Sequence, residues 1–497
     1  MDLDARVHEL VRKLAEVRTR NPATFGSKSH GFTLGPPIAE SHLRAFEDAH
    51  GVTLPADYRV FITQAGASGA GPYHGLLPLE SCDLTLVDVA DAPDWLARPC
   101  CFAPGMPRDA DTYAAATKDA IDPFQGAIAI ADQGCTYYAA LVVTGPQRGR
   151  IMYLDVEGGV PYFVENEDFL SWYERWLDEL LWGHEHTWFG MGMPGNEAAL
   201  VEAARTASSP RRLEALQAMW RLPRLEDETA AIVTACIGDE ESRVRAAALA
   251  LVAKYRVQGA QLAVRAALGD ANAAVRLASL LALVALDVAW HDDAKRLLRD
   301  PDPANATRAL GELTRTHALS DQQLVALLDD PAEAIVAIAL RALATSPAAI
   351  AVEALLQRAR AGAQPDALRA LLQHVRAGFV APAPTVVAFD LAIARFDADP
   401  CSATMRAFEA FTATPDLWSR ALGKMLDATR HREAFVRFDA AYILGELAGE
   451  ESFEALEALE ADASMPTAEG RATAWSVGAN ATKALGKIRS RLLVQRS

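Results

Sequence analysis

A chain of 497 residues, 51% hydrophobic and 23% charged, has room for two to four domains and is too apolar for global disorder. Its net charge of −17 is uneven: residues 1–190 hold 14 Lys+Arg against 27 Asp+Glu, and residues 191–497 hold 34 against 38. That field disfavours nucleic acid as the ligand of the front part and favours a basic partner. The six cysteines form no C-x-x-C pair, and adjacent Cys100 and Cys101 are poorly placed for a disulfide, so thiols in a reducing compartment are expected. The opening segment is a charged amphipathic helix without a signal-peptide core, and no uncharged apolar run of about 18 residues follows. A cytoplasmic protein with no membrane span is the expectation.

Residues 3–19 read as a helix, with Leu3, Val7, Leu10 and Leu14 at spacings of three and four. After a loop from Asn21 to Pro37, Ile38 to His50 predicts a second helix closed by Gly51, and Pro55 opens a third that Gly66 ends. Strand signals come next: Gly75–Leu79 as a short edge, Ala127–Ala131, then Tyr137–Thr144 and Arg150–Asp155 around a Gly-Pro-Gln-Arg-Gly turn, with Tyr162–Val164 as a further strand end. Glu167–Trp182 closes this part as an amphipathic helix. Helices around an antiparallel meander predict an α+β domain over residues 1–189.

Gly190, Gly192, Pro194 and Gly195 mark a joint over 190–197. Beyond it the chain turns rich in Ala, Leu and Arg. Asp239, Asp270, Asp300 and Asp330 recur at a period near thirty, each followed by apolar positions at offsets of five, ten and thirteen; Asn305 alone breaks the pattern. Such a period predicts a solenoid of helix pairs over 198–497, irregular around 345–425, with the periodic Asp and Pro residues capping or starting helices. The fold class is thus an α+β N-terminal domain, an antiparallel sheet with flanking helices, plus an all-α helical-repeat solenoid.

Several motifs then suggest relatives. Phe46-Glu47, Gly51-Val52-x-Leu54-Pro55-x-Asp57-Tyr58-Arg59-x-Phe61, the Gly66–Leu79 loop, Gly149-x-Ile151-x-Tyr153-x-Asp155 and Phe169-Leu170-x-Trp172-Tyr173-x-x-Trp176-Leu177 together resemble the SUKH superfamily over about 36–182. Val436-Arg437 through Leu447, echoed by Val244-Arg245 and Val275-Arg276, resembles HEAT repeats of the short phycobilisome-lyase type. The first resemblance implies a protein-binding domain; many bacterial members are immunity proteins that neutralise a toxin, and fungal relatives regulate signalling and the cell wall. The second implies a surface for a protein partner. Neither implies catalytic residues, a cofactor or a metal.

Individual motifs point the same way. Gly190-x-Gly192-x-x-Gly195 fits a dinucleotide fingerprint but follows a helix rather than a strand, so a linker reading is preferred. His184-Glu185-His186 lacks a third metal ligand, and His291-Asp292-Asp293 reads as a helix start. Asp109/Asp111 and Glu165/Glu167/Asp168 sit in polar contexts that suit capping better than acid–base chemistry. Trp172 and Trp176 are expected in the core, whereas Trp182 and Trp188 are expected to pack between the front domain and the first repeat, with an exposed anchor as the alternative. The candidate partner-binding residues are Gly66, Gly69, Gly71, Pro72, Tyr73 and Glu80, on a loop whose backbone a partner can approach. The expectation is therefore a non-enzymatic protein that binds a protein partner such as a basic toxin, and neither nucleic acid nor membrane; an ordinary cellular scaffold is the alternative.

Overall fold

Val7, Leu10, Leu14 and Val17 are buried along one stripe of α1 (Leu3–Arg20), as their spacing demands, and Asn21 ends the helix in the left-handed conformation. The computed structural model describes residues 2–84, 94–362, 365–468, 471–472 and 474–496. The chain divides into two units, Met1–Ala289 and Trp290–Ser497.

In the first unit α2 (Glu40–His50) ends at Gly51, with φ +64°, and α3 (Ala56–Gln64) starts directly after Pro55. A helix absent from the expected elements follows, α4 (Ala110–Thr117); none of its residues is buried, so no apolar stripe announces it. Strands β1 (Ala127–Gly134), β2 (Tyr137–Val142), β3 (Ile151–Asp155) and β4 (Tyr162–Phe163) form one antiparallel meander in sequential order. The expected edge strand at Gly75–Leu79 is instead a single bridging residue: Leu76 pairs with Gly69 on one side and Ala131 on the other. Pro78 and the 3-10 turn at Leu79–Ser81 stop it from extending. The last helix of this half, α5 (Phe169–Trp182), buries Phe169, Leu170, Trp172, Tyr173 and Trp176.

The motif residues of this half have structural work that explains their types. Asp57 accepts a hydrogen bond from the Leu170 N–H at 3.1 Å, satisfying a free donor at the start of α5. Glu47 is buried, accepts from the Leu54 N–H at 2.7 Å and pairs with Arg59. Asp168 caps α5 through Ser171 and binds Arg6 of α1 at 2.9 Å.

The same unit continues with α6 (Glu197–Thr206), α7 (Ser209–Met219), α8 (Asp227–Ala235), α9 (Ser242–Tyr255), α10 (Gln261–Ala267) and α11 (Ala273–Ala285), stacked as pairs. The second unit holds α12 (His291–Leu297), α13 (Pro303–Arg315), α14 (Asp321–Ala326), α15 (Glu333–Leu343), α16 (Ala349–Ala361), α17 (Pro365–Arg376), α18 (Pro382–Ala398), α19 (Ser402–Arg406), α20 (Pro415–Ala428), α21 (Ala434–Leu447), α22 (Phe453–Leu459) and α23 (Val477–Arg496), with short strands β5 (Thr467–Ala468) and β6 (Arg471–Ala472). Helices α13, α15 and α17 stack in one layer, and α14, α16, α18 and α20 in the other. The layers run on through the stretch around 345–425, where the sequence repeat fades, and Asn305 lies buried inside a regular α13. The Asn305 position is thus helical, whereas within 345–425 the five-residue α19 passes into a 3-10 turn at Ala407–Phe411 instead of forming a full helix.

The periodic aspartate is not itself the helix cap. Asp239, Asp270, Asp300, Asp330 and Asp462 each accept the N–H two residues on, at 2.8–2.9 Å, turning the chain before the next helix. Two of them also receive an arginine from the preceding repeat, Arg245 to Asp270 at 2.7 Å and Arg437 to Asp462 at 2.8 Å. The same arginines donate to the carbonyls of Asp239, Glu240, His431 and Arg432, so each ties three chain segments. Asp270→Ala is expected to cost about 2 kcal/mol through the lost turn and charged hydrogen bonds, seen as faster amide exchange in α10 and α11. The Arg437 hydrogen bond holds Asp462 down to about 2, so its contribution is present above the usual carboxylate range and is lost as pH falls through about 2.

Candidate functional site

Where β1 turns into β2, and β3 runs out toward β4, the first unit opens a groove of about 850 Å³. Tyr153, Leu154 and Tyr162 form its floor, and Phe25, Tyr137 and Trp188 its walls. Tyr153 is held by the indole N–H of buried Trp172, 2.9 Å from its hydroxyl. Tyr162 accepts from the Gly192 N–H at 2.9 Å, which ties the segment after α5 to the rim. Phe25 also lines the groove and is edge-on to His74 at 5.1 Å.

The wall rings remain open to solvent: Phe25 is 62% exposed, Tyr137 50% and Trp188 71%. Aromatic surface of this kind, converging on one concavity, is what interface anchors look like before a partner covers them. The negative charge of Asp155, together with its hydrogen bond to the Tyr137 hydroxyl, pushes that phenol up, and both residues line the groove. Arg108, which lines the groove, lies 6.0 Å over the Tyr162 ring and donates to the Val160 carbonyl.

Of the six residues expected to contact a partner, Tyr73 alone lines this groove. It adopts φ +57°, an unfavourable conformation for a tyrosine, and its hydroxyl donates to the Phe189 carbonyl at 2.9 Å. Glu80 is exposed but lines a separate cleft beside His42, 3.3 Å away. Gly66, Gly71 and Pro72 are buried and Gly69 half-buried, contrary to the open backbone expected there. Their glycines answer to packing: a Cβ on Gly66 would stand 2.5 Å from the Gly35 carbonyl, and one on Gly69 2.5 Å from that of Thr33.

Trp182 and Trp188 do not fill the seam between the sheet-bearing half and the first repeat; both are exposed, at 40% and 71%. Buried charge fills it instead. Glu179, 1% exposed, accepts from Arg175 at 2.8 Å and faces Arg221 at 3.4 Å. The arginines also donate to the Gly190, Gly192 and Met193 carbonyls, so the Gly/Pro joint is a strapped turn. Glu165 adds a two-pronged pair to Arg211 of α7, at 2.8 and 2.9 Å. Burial beside this cluster pushes His184 down to about 4 and lowers His186 as well.

Asp109 caps α4 by accepting from the Thr112 N–H at 2.7 Å. With Glu165 and Asp168 likewise engaged, these carboxylates have structural partners. Among the described residues no three His, Cys, Asp or Glu side chains gather as a metal set, and no helix is long and apolar enough to cross a membrane.

Comparison with known proteins bears on the front half. No curated protein matches the chain. Among solved structures, an engineered protein is 17% identical over 60% of this chain and 89% of its own, with a TM-score of 0.33. Human deoxyhypusine hydroxylase in complex with glycerol is 16% identical over 59% of this chain and 96% of its own, with a TM-score of 0.22. Superposition at that level assigns no fold. The SMI1 / KNR4 family (SUKH-1) matches residues 37–175, a span that contains α2, α3, the whole meander and the first half of α5, so this part of the chain is a SUKH-1 domain.

Proposed function

We infer that the chain is a non-catalytic protein-binding protein whose acidic front part, the SUKH-1 domain with its flanking segments, seizes a basic partner through the aromatic groove. The observation that carries this reading is the convergence of exposed Phe25, Tyr137 and Trp188 on one concave surface. Rings of this kind take cationic side chains on their faces, as Tyr162 already takes Arg108. The surplus of acidic residues over residues 1–190 would draw such a partner in and suppress acidic competitors.

The finer reading is immunity. A toxin that acts on nucleic acid is basic because its substrate is a polyanion, and an acidic domain can occupy that surface. The SUKH-1 match supports this, since immunity is a role of that family. The helical array would widen the contact or hold a second partner. An intracellular scaffold for ordinary cellular proteins is the second reading, favoured by the extent of helical surface from α6 to α23.

Affinity capture from the native host, followed by washes of rising ionic strength, tests both. The immunity reading expects the product of an adjacent gene, basic, and released as salt rises. Retention of that partner at high salt would refute charge steering, and capture of non-toxin cellular proteins alone would favour the scaffold.

A further inference from the structure

We propose that the second unit carries its own docking groove for an acidic polypeptide segment, lined by arginines from successive helices. Three adjoining clefts run along α13, α15, α17 and α19. The first, about 620 Å³, is lined by Arg315 and Arg341; the last, about 560 Å³, by Arg369, Arg376, Arg395 and Arg406. A small cleft between them shares Arg341 with the first and Arg369 with the last, so the three are continuous.

The charge balance is positive along this line although the chain as a whole is at −17. Four carboxylates also line it, Asp321, Asp366, Asp399 and Glu409. Asp366 is taken up by Arg369 at 2.7 Å and Glu409 by Arg376 at 3.0 Å, while Asp321 accepts the Ser346 hydroxyl at 2.8 Å. Arg341, Arg395 and Arg406 are exposed and form no ion pair among the described residues. Leu319, Ile338, Leu368 and Leu372 supply apolar surface between the guanidinium groups.

Geometry narrows the occupant. The lining arginines come from α13, α15, α17, α18 and α19, and packed helices stand about 8–10 Å apart, which sets the order of spacing between guanidinium groups on neighbouring helices. Every third residue of an extended peptide advances about 10 Å. An extended segment with a carboxylate at every third position and apolar residues between them matches both the charges and the floor. A nucleic-acid backbone fits less well, because its phosphates would face the four carboxylates and leave the leucines unused. This surface is independent of the aromatic groove in the first unit.

The test uses the full chain and a fluorescein-labelled synthetic peptide of about 15 residues, with Glu at every third position and Leu or Ala between. The expected result is binding that weakens at least about ten-fold in Arg341→Glu/Arg395→Glu, persists in Arg341→Lys/Arg395→Lys, and is unchanged in Trp188→Ala. The proposal is overturned if the wild-type chain does not bind the peptide or if the Glu variant binds as tightly. It is equally overturned if a peptide with its glutamates clustered at one end, or a single-stranded oligonucleotide of equal charge, binds as well or better. Unchanged circular dichroism of the surface variants keeps loss of fold out of the comparison.

Discussion

Glu179→Ala is expected to destabilise the first unit by about 3–5 kcal/mol, because it strands two guanidinium groups in a place that water scarcely reaches. Glu179 is 1% exposed and serves both Arg175, itself 4% exposed at the side chain, and Arg221. With the carboxylate gone, Arg175 keeps the Gly190 and Gly192 carbonyls and the Asn166 side chain, all at 3.2–3.4 Å, and the Phe189 ring at 5.7 Å, but no anion among these contacts. Glu179→Gln should recover part of the loss, since an amide oxygen still accepts from a guanidinium while the charge is absent. Urea unfolding followed by the fluorescence of buried Trp172 and Trp176 reads the effect directly. A loss below about 1 kcal/mol would mean that the seam is wet and the cluster dispensable.

Acidification from pH 7 to 4.5 is expected to weaken the same unit by up to about 3 kcal/mol through His184 alone. Its folded value lies near 4, against an ordinary 6.5, because burial penalises the imidazolium. The unfolded imidazole therefore takes a proton as pH falls through 6.5, and the folded one resists until about 4. Stability is full above the higher value, declines between the two and loses nothing further from this group below the lower. Glu179 works against the shift, whereas Arg175, Arg221 and His186 reinforce it. His186 is lowered too and adds a loss of the same sign. In His184→Gln the urea midpoint should depend less on pH over that window; a slope equal to wild type would remove His184 as the cause.

Much of this architecture was legible from residue spacing. The stripe of α1, the Gly51 stop of α2, the Pro55 start of α3 and the hairpin between β2 and β3 follow from period and turn chemistry, and the SUKH-like motif residues proved to be ties between elements. What spacing could not supply was apposition. Tyr137 lies on an expected strand and an exposed anchor is the alternative expectation for Trp188, yet no local pattern says that they line one groove with Phe25. Nor does sequence show that the Gly66–Pro72 loop lies under the Thr33–Gly35 segment, which turns an apparent binding loop into packed backbone. Asn305 interrupts the apolar spacing without interrupting the helix, because the nearby Leu310 and Leu313 carry α13 into the core.

The account stands or falls on whether a partner binds at the exposed rings of the aromatic groove, Tyr137 within the SUKH-1 domain and Phe25 and Trp188 flanking it. The direct measurement is calorimetric titration of the captured partner against wild-type chain and the Tyr137→Ala/Trp188→Ala variant. Both side chains are at least half exposed, so the fold should survive their loss. Two anchor rings are expected to be worth about 2–4 kcal/mol, or a weakening of about 30- to 1000-fold. Equal affinities for the two proteins would contradict the groove as the binding site and return the question to the rest of the surface.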